Sequence, residues 1–409
     1  MTVPPLTDLP RQVSADVYKQ GRLCAGLRRR IDGVEFRYRV EYLERPGPAV
    51  ATTLPVSPEP VLRPPGAVPA YFAGLLPEGR RLTALRRAVK TSPDDELSLL
   101  LAIGADVIGD VQVLPAGVSP YQVPPMVTVS DFGEIQFAEL LARSVGVDPD
   151  RVGLPGVQEK VSARMTTMPV HEVGASYLLK LNPPGLPALV ENEAFFLAAA
   201  RTSGLRAVEA RVVTDATGAT GLLVRRFDRR TGEDGRQQAL AVEDGCQVLG
   251  RYPADKYAVT ATQVTAALCA PTRAPLVAAR ELMRQLAFAY LTGNGDAHAK
   301  NLAILREPAG EWRVSPAFDV PSTYLYGDST IALPVAGRSG ADIPRRAFVE
   351  LGDHLNLPEL ATGGVLDELC ERADTWLPDL HSLPFPASQV RKLRRTIEYR
   401  RRLLRGTAV

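Results

Sequence analysis

The 409-residue sequence has few cysteines and no C-x-x-C pair, which excludes a zinc ribbon or a dense disulfide framework. We therefore expect the cysteines to be buried, reduced thiols. The net charge is only +2, so the chain lacks the global basic character of a polyanion-binding protein. The four cysteines are Cys24, Cys246, Cys269 and Cys370.

Long apolar runs are also missing. The most apolar stretch, LSLLLAIGADVIGDVQVL, is interrupted by Asp106 and Asp110, and no run approaches the roughly 20 residues that span a bilayer. The N-terminal MTVPPLTDLP lacks the basic start and apolar centre of a signal peptide. We expect a cytoplasmic protein that makes no membrane contact.

Several common catalytic motifs are absent. There is no G-x-x-x-x-G-K-[ST], no G-x-G-x-x-G, no H-E-x-x-H and no G-x-S-x-G. These absences exclude an ordinary P-loop, a dinucleotide fingerprint, a zincin site and a hydrolase elbow.

The chain has enough apolar residues for a sizeable core, with 45% hydrophobic and 23% charged residues. Its length and pattern predict an α+β protein in three parts. Residues 1–125 form a small α+β module that includes a hairpin, with one strand on each side of Ile31-Asp32-Gly33. Residues 126–260 form a mixed sheet with one helix, and residues 261–409 are mostly helical.

The strongest chemical signal lies in LTGNGDAHAKNLAIL and the following SPAFDVPST. Asp296 and Asn301 have the D-x-x-x-x-N spacing of protein-kinase catalytic loops, where the carboxylate accepts the proton of an attacking hydroxyl and the amide reaches Mg²⁺. Asp319, in an apolar strand-like context, suits the second Mg²⁺ ligand. The alternative is structural: Asp296 as a helix N-cap, Asn301 and Asp319 as turn formers.

A kinase also needs a strand lysine for the phosphates and a helical carboxylate that holds it. SYLLKL places Lys180 on the face of a strand opposite Leu179 and Leu181. Glu191 and Glu193 begin the helix that follows and could supply the partner, and Glu193 is the preferred choice. Alternatively Lys180 is a surface charge, and the glutamate complements the helix dipole.

Two further segments could contact a nucleotide. LLVRRFDR is a candidate interlobe connection, in which Phe227 would pack on adenine; a solvated hairpin end fits the same residues. RVGLPGVQEK is rich in Gly and Pro, and its backbone amides could cradle phosphate, although a plain turn between strands would look the same. The residues concerned are Gly153, Leu154, Gly156, Gln158 and Lys160.

Taken together, the motifs resemble the HipA family, bacterial serine/threonine kinases of toxin–antitoxin modules with a protein-kinase-like, two-lobed fold. The matching segments occur in family order and cover most of the chain. They are YFAGLLPEG, IGADVIGDVQV, GVQEK, LVENE, RRFDR, EDGCQVLG, GNGDAHAKN and SPAFDVPST.

The resemblance implies transfer of the ATP γ-phosphate to a protein serine or threonine with Mg²⁺. Asp296 would be the catalytic base and Asn301 and Asp319 the metal ligands. It further implies an aminoacyl-tRNA synthetase type of substrate and a helix-turn-helix, HipB-like antitoxin through which operator DNA is bound. The implied ATP contacts are Lys180, Phe227, His298, Lys300 and the Gly153–Lys160 loop residues named above.

One departure from the family concerns self-inactivation. The family commonly has a serine before the G-x-Q-x-K motif, whose autophosphorylation shuts the kinase off. Here Arg151-Val152-Gly153-Leu154-Pro155 carries no hydroxyl, and we predict that this route is lost.

Two other functions fit parts of the sequence. One is a non-catalytic, kinase-fold corepressor that binds an antitoxin, although the intact set of polar residues disfavours it. The other is direct nucleic-acid binding by the C-terminal RKLRRTIEYRRRLLR, which has eight basic residues and one acid. Leu393, Ile397 and Leu404 form an apolar stripe there, and this favours a terminal helix packed on the lobe.

Overall fold

The computed structural model describes residues 4–123, 131–140, 166–172, 175–183, 185–232 and 237–407. Across these ranges, every helix is too short or too polar to cross a lipid bilayer. Each of the four cysteines is a buried, free thiol, as expected.

The first part of the chain folds into an antiparallel sheet with strand order β4-β3-β2-β1-β5. The predicted turn between Ile31 and Gly33 is present, but the strand expected before it is in fact two strands. Gln20 and Gly21 both have positive φ angles, 52° and 76°, and reverse the chain between them. The strands are β1 (Ser14–Lys19), β2 (Arg22–Arg30), β3 (Gly33–Tyr38), β4 (Val61–Arg63) and β5 (Val111–Pro115).

Short helices cover this sheet, and we call residues 4–123 the N-terminal module. Asp95 caps the helix that follows it by accepting a hydrogen bond from the backbone N–H of Ser98. The module encloses a core of its own around Phe36 and Phe72. Its helices are α1 (Val40–Glu44), α2 (Ala70–Gly74), α3 (Gly79–Val89) and α4 (Glu96–Ile103).

A second antiparallel sheet has strand order β6-β7-β9-β8 and packs against one long helix. That helix, α5 (Leu189–Thr202), is followed by Ser203 as its C-cap and by Gly204, whose φ of 83° turns the chain away from the helix. The strands are β6 (Thr166–Glu172), β7 (Ala175–Leu181), β8 (Ala210–Thr214) and β9 (Thr220–Arg225).

Two small sheets connect this region to the helical half. β10 (Arg229–Thr231) pairs with β11 (Gln237–Ala239). β12 (Val242–Asp244) pairs with β13 (Ala303–Arg306), and β13 pairs with β14 (Trp312–Val314). β13 begins two residues after Asn301. This sheet therefore holds the chain in place directly after the segment that contains the D-x-x-x-x-N motif.

The C-terminal half is helical, as predicted. Its core includes buried residues of α5 as well as its own helices, so the two regions share one apolar interior. The helices are α6 (Gly245–Val248), α7 (Ala261–Cys269), α8 (Pro275–Thr292), α9 (Arg345–His354), α10 (Glu359–Trp376) and α11 (Ala387–Arg405).

Candidate active site

Lys180 lies at the centre of a buried ion-pair cluster. Strand alternation on β7 buries Leu179 and Leu181 on one face and turns Lys180 to the other, towards α5. Its Nζ atom lies 2.6 Å from Oε1 of Glu193 and 3.1 Å from Oδ1 of Asp319. Burial opposes the charge on Lys180, but the two carboxylates outweigh it and raise the pKa of the ammonium. The choice of Glu193 as its partner agrees with this geometry.

Asp319 is held by groups from three segments. Besides Lys180, it receives a hydrogen bond at Oδ2 from Nδ2 of Asn301, at 2.8 Å. Nδ2 of Asn294 points to its backbone carbonyl, at 3.4 Å. Burial acts to raise the pKa of Asp319, whereas Lys180 and Asn301 lower it, and the net effect is a pKa below the ordinary value. Asp319 is therefore ionised at neutral pH.

The backbone at Asp319 is left-handed, with φ of 55°. The strand-like conformation expected from Phe318 and Val320 is therefore wrong. Residues other than glycine rarely adopt this backbone conformation, and residues strained in this way cluster at functional sites. In this conformation the carboxylate of Asp319 contacts both Lys180 and Asn301.

Asp296 lies in a tight segment directly after α8. The helix ends at Gly293, whose φ is 74°, and Oδ1 of Asn294 accepts the backbone N–H of Asp296 at 3.0 Å. The Asp296 side chain is buried, and Oδ1 accepts a hydrogen bond of 2.6 Å from the Tyr257 hydroxyl. The next helical turn is Ala299–Asn301, capped at His298, so Asp296 is not its N-cap.

His298 is a buried, neutral imidazole. Burial and the neighbouring Lys256 lower its pKa to about 3. Its ring packs edge-on against Tyr257 with the centroids 5.1 Å apart. Its Nδ1 atom has no hydrogen-bond partner in the described part of the chain, which leaves one polar atom for a bound group.

Lys300 points away from the Lys180 cluster. Its Nζ atom lies 2.9 Å from Oε1 of Glu78 and donates to the carbonyl of Gly74 at 3.0 Å. Both partners belong to the N-terminal module. The contact with ATP that the family resemblance implies for Lys300 stays a prediction.

Phe227 lies just beyond β9, in the segment expected to connect the lobes. Its ring packs on Phe318, with the centroids 5.4 Å apart, and Phe318 directly precedes Asp319. The neighbouring Arg226 is anchored to Asp106 and Asp228 at 2.9 Å each. These contacts fix the segment next to Asp319. The role of Phe227 towards adenine stays a prediction.

Five of the candidate residues lie outside the described residues. They belong to the Gly/Pro-rich loop and are Gly153, Leu154, Gly156, Gln158 and Lys160.

Sequence reasoning missed two residues that contact the site, Tyr257 and Glu78. Tyr257 lies 39 residues before Asp296 and belongs to no recognised motif. Glu78 lies in the quoted YFAGLLPEG segment, but nothing in its spacing indicates that it reaches Lys300.

A strand lysine paired with a helical glutamate, facing a D-x-x-x-x-N segment and a further aspartate, defines a protein-kinase-like α+β fold. The chain belongs to the HipA family: models of the HipA N-terminal domain and the HipA-like C-terminal domain match residues 15–114 and 152–377. It is 28% identical to Y4mE of Sinorhizobium fredii over 82% of this chain and 85% of that protein.

Two matches from Shewanella oneidensis, one in sequence and one in structure, extend the comparison. The serine/threonine-protein kinase toxin HipA is 25% identical over 289 residues, 65% of each chain. A solved HipA chain, from a complex of HipA, HipB and operator DNA, superposes with a TM-score of 0.78 at 20% identity, covering 97% of this chain and 100% of that one. The superposition shows that the fold is shared.

Proposed function

We propose that this chain is a serine/threonine protein kinase that transfers the γ-phosphate of ATP to a protein hydroxyl. The observation that carries the proposal is the chain of contacts around Lys180 and Asp319: Lys180 donates to both Glu193 and Asp319, and Asn301 donates to Asp319. Lysine, helical glutamate, amide and carboxylate are the groups that phosphoryl transfer requires, and they come from four separate segments of the chain.

Asp296 is proposed as the catalytic base that accepts the proton of the substrate hydroxyl. Asn294 fixes its backbone and Tyr257 fixes one carboxylate oxygen, so little reorganisation is needed when a hydroxyl arrives. Lys180 is proposed to neutralise the ATP phosphates, with Glu193 keeping the ammonium in position. Phe227 and His298 are the proposed contacts to adenine and phosphate, and the same role is proposed for the loop residues between Gly153 and Lys160.

The residues present fit a magnesium ion. No set of three or more His, Cys, Asp or Glu side chains within the described ranges is arranged to hold a metal alone. Mg²⁺ in kinases is usually held by one or two protein oxygens together with phosphate oxygens, and Asp319 and Asn301 would supply those two ligands. Bound there, the ion would neutralise the charge that develops on the transferring phosphate.

We also propose the biological setting that the family resemblance implies. A helix-turn-helix antitoxin of the HipB kind would neutralise the kinase and carry it to operator DNA. The support is the shared fold with a HipA chain whose structure includes HipB and operator DNA. A protein of the translation machinery, of the aminoacyl-tRNA synthetase type, is the proposed substrate, and the cytoplasm is the proposed location because these partners lie there.

The proposal is tested with γ-labelled ATP, Mg²⁺, purified protein and a cell lysate. Wild-type protein should label a lysate protein, and Asp296→Asn should lower transfer by about 10²–10⁴-fold, because a general base typically contributes that much. Asp319→Asn should be similarly inactive, since the amide tolerates the left-handed backbone but lacks the charge. Both should unfold cooperatively, like the wild type.

Asp379→Asn, at an exposed position, is the matched control and should keep full activity. Activity retained in both site variants would refute the assigned roles. ATP binding without transfer by the wild type would instead support the non-catalytic corepressor.

A further inference from the structure

The N-terminal module reaches the D-x-x-x-x-N segment through one carboxylate. Glu78 immediately precedes α3, and its two oxygens contact two different lysines. Oε1 lies 2.9 Å from Nζ of Lys300, and Oε2 contacts Nζ of Lys256. Lys300 is further tied to the module by its hydrogen bond to the carbonyl of Gly74. One side chain thus connects two segments that are far apart in sequence.

These contacts are charged and largely shielded from water. The side chains of Lys256 and Lys300 are 11% and 13% exposed, and that of Glu78 is 31% exposed. Burial opposes ionisation of Glu78, but the two ammonium groups outweigh it and lower its pKa to about 2. The carboxylate therefore stays ionised in any assay near neutral pH, and both ion pairs of Glu78 persist there.

Each lysine is the chain neighbour of a residue that contacts the proposed site. Lys256 precedes Tyr257, whose hydroxyl donates to Asp296. Lys300 precedes Asn301, whose amide donates to Asp319. The two lysine segments also bond to each other, because the carbonyl of Lys256 accepts the backbone N–H of Ala299 at 3.2 Å. Glu78 therefore contacts both of the segments that carry these residues, the one at Lys256 and the one at Lys300.

We propose that Glu78 is a positioning residue for phosphoryl transfer, through which the N-terminal module sets the placement of Asp296 and Asn301. The inference rests on the proposed kinase function. Glu78 touches neither reacting group itself; it acts through Lys256 and Lys300. Without its carboxylate, the two largely shielded lysines lose the counter-charge that they share, and the loop between them loses the contact that fixes its geometry.

The test is Glu78→Gln in the full-length protein. Because small displacements of a catalytic group cost far more in rate than in binding, kcat should fall roughly tenfold to hundredfold, while KM for ATP stays within about threefold. Hydrogen–deuterium exchange of peptides covering residues 293–302 should become faster. Adding Glu78→Gln to Lys300→Met should lower kcat less than Glu78→Gln lowers it alone, because interacting groups are not additive.

Asp95→Asn is the matched control. Asp95 also belongs to the N-terminal module and pairs with an arginine, Arg29, at 2.6 Å, but among the described residues it contacts none of those at the site. The control should lower the melting temperature and leave kcat and loop exchange unchanged. An equal loss of kcat in Asp95→Asn would overturn the proposal, because module stability would then be sufficient to explain the effect.

The exchange measurement separates this inference from the kinase proposal. A wild-type protein that transfers no phosphate would refute the kinase, yet loop exchange would still report whether Glu78 fixes the segment. Unchanged exchange at residues 293–302 in Glu78→Gln refutes the positioning role in either case. If Glu78→Gln alone does not fold, the double variant with Lys300→Met removes one cation with the anion, and its loop exchange, faster or unchanged, decides in the same way.

Discussion

At the scale of single residues, the site depends on the Lys180 cation, which lies between the buried carboxylate of Glu193 and the partly shielded carboxylate of Asp319. Removing Lys180 would leave Glu193 and Asp319 facing each other without a counter-charge. We expect Lys180→Met to abolish transfer and to lower the free energy of unfolding by about 3–5 kcal/mol, the usual cost of breaking a buried ion pair on one side.

The double variant Lys180→Met/Glu193→Gln should regain most of that stability and remain inactive, because it removes one negative charge but restores no phosphate contact. Urea unfolding followed by circular dichroism measures the first quantity and labelled ATP the second. Equal stabilities of the single and double variants would contradict the charge argument.

At the scale of elements, α11 illustrates how a basic helix is divided between interior and surface. Arg400 is completely buried, and its guanidinium donates to the carbonyls of Tyr290 and Ser329 at 2.6 and 2.7 Å. It is therefore not available to a nucleic-acid backbone, and one of the eight basic residues of this helix serves the fold. The predicted apolar stripe of Leu393, Ile397 and Leu404 is confirmed.

We expect Arg400→Met to lower the free energy of unfolding by about 2–4 kcal/mol, because the carbonyls of Tyr290 and Ser329 each lose a hydrogen bond from the guanidinium. Arg395→Met, on the exposed side of the same helix, should change it by less than about 0.5 kcal/mol. Thermal and urea unfolding of both variants check this. Similar effects at the two positions would show that burial does not distinguish them.

Local pattern predicted most elements, and its failures have local and non-local causes. The burial of Arg400 could have been predicted, because positions 393, 397, 400 and 404 follow the spacing of one helix face. A charged residue is normally expected at the surface, so this position was left out of the apolar stripe. The left-handed backbone of Asp319 was not readable, because Phe318 and Val320 fit a strand equally well. Tyr257 and Glu78 reach the site only through tertiary packing, which no spacing encodes.

At the scale of the whole molecule, the N-terminal module is joined to the rest by buried polar contacts. One of them is Glu243 on β12, which accepts hydrogen bonds from the backbone N–H and the hydroxyl of Thr52 at 2.8 and 2.6 Å. Burial raises the pKa of Glu243 to about 7 and that of the adjacent Asp244 to about 6. Both carboxyls therefore hold a proton in the folded chain at a pH where the unfolded chain has lost it.

Because folding raises the pKa of Glu243, the folded state becomes less stable relative to the unfolded state as the pH rises. The stabilising contribution of a protonated Glu243 is complete below the unfolded pKa, and it is lost as pH rises from about 4.5 towards 7. We expect the free energy of unfolding to fall over this interval, with Glu243 contributing on the order of 3 kcal/mol. Glu243→Gln should reduce the slope and leave the part that belongs to Asp244.

Urea unfolding at pH 5 and pH 8 measures this difference, and the exposed Glu44→Gln serves as the control that should keep the wild-type slope. An unchanged slope in Glu243→Gln would mean that the carboxyl ionises in the folded protein as freely as it does in the unfolded chain.

The two ion pairs of Glu78 have a consequence for the synthesis of the protein. Glu78 and Lys256 are 178 residues apart in the chain, and Gly74 and Lys300 are 226 residues apart. At synthesis rates of roughly 5–20 residues per second, Lys300 follows Gly74 by on the order of ten to forty-five seconds. The N-terminal module encloses its own apolar core, but the residues of the loop that it contacts have not been synthesised at that point. A nascent chain therefore contains the whole module well before it contains the residues of the proposed active site.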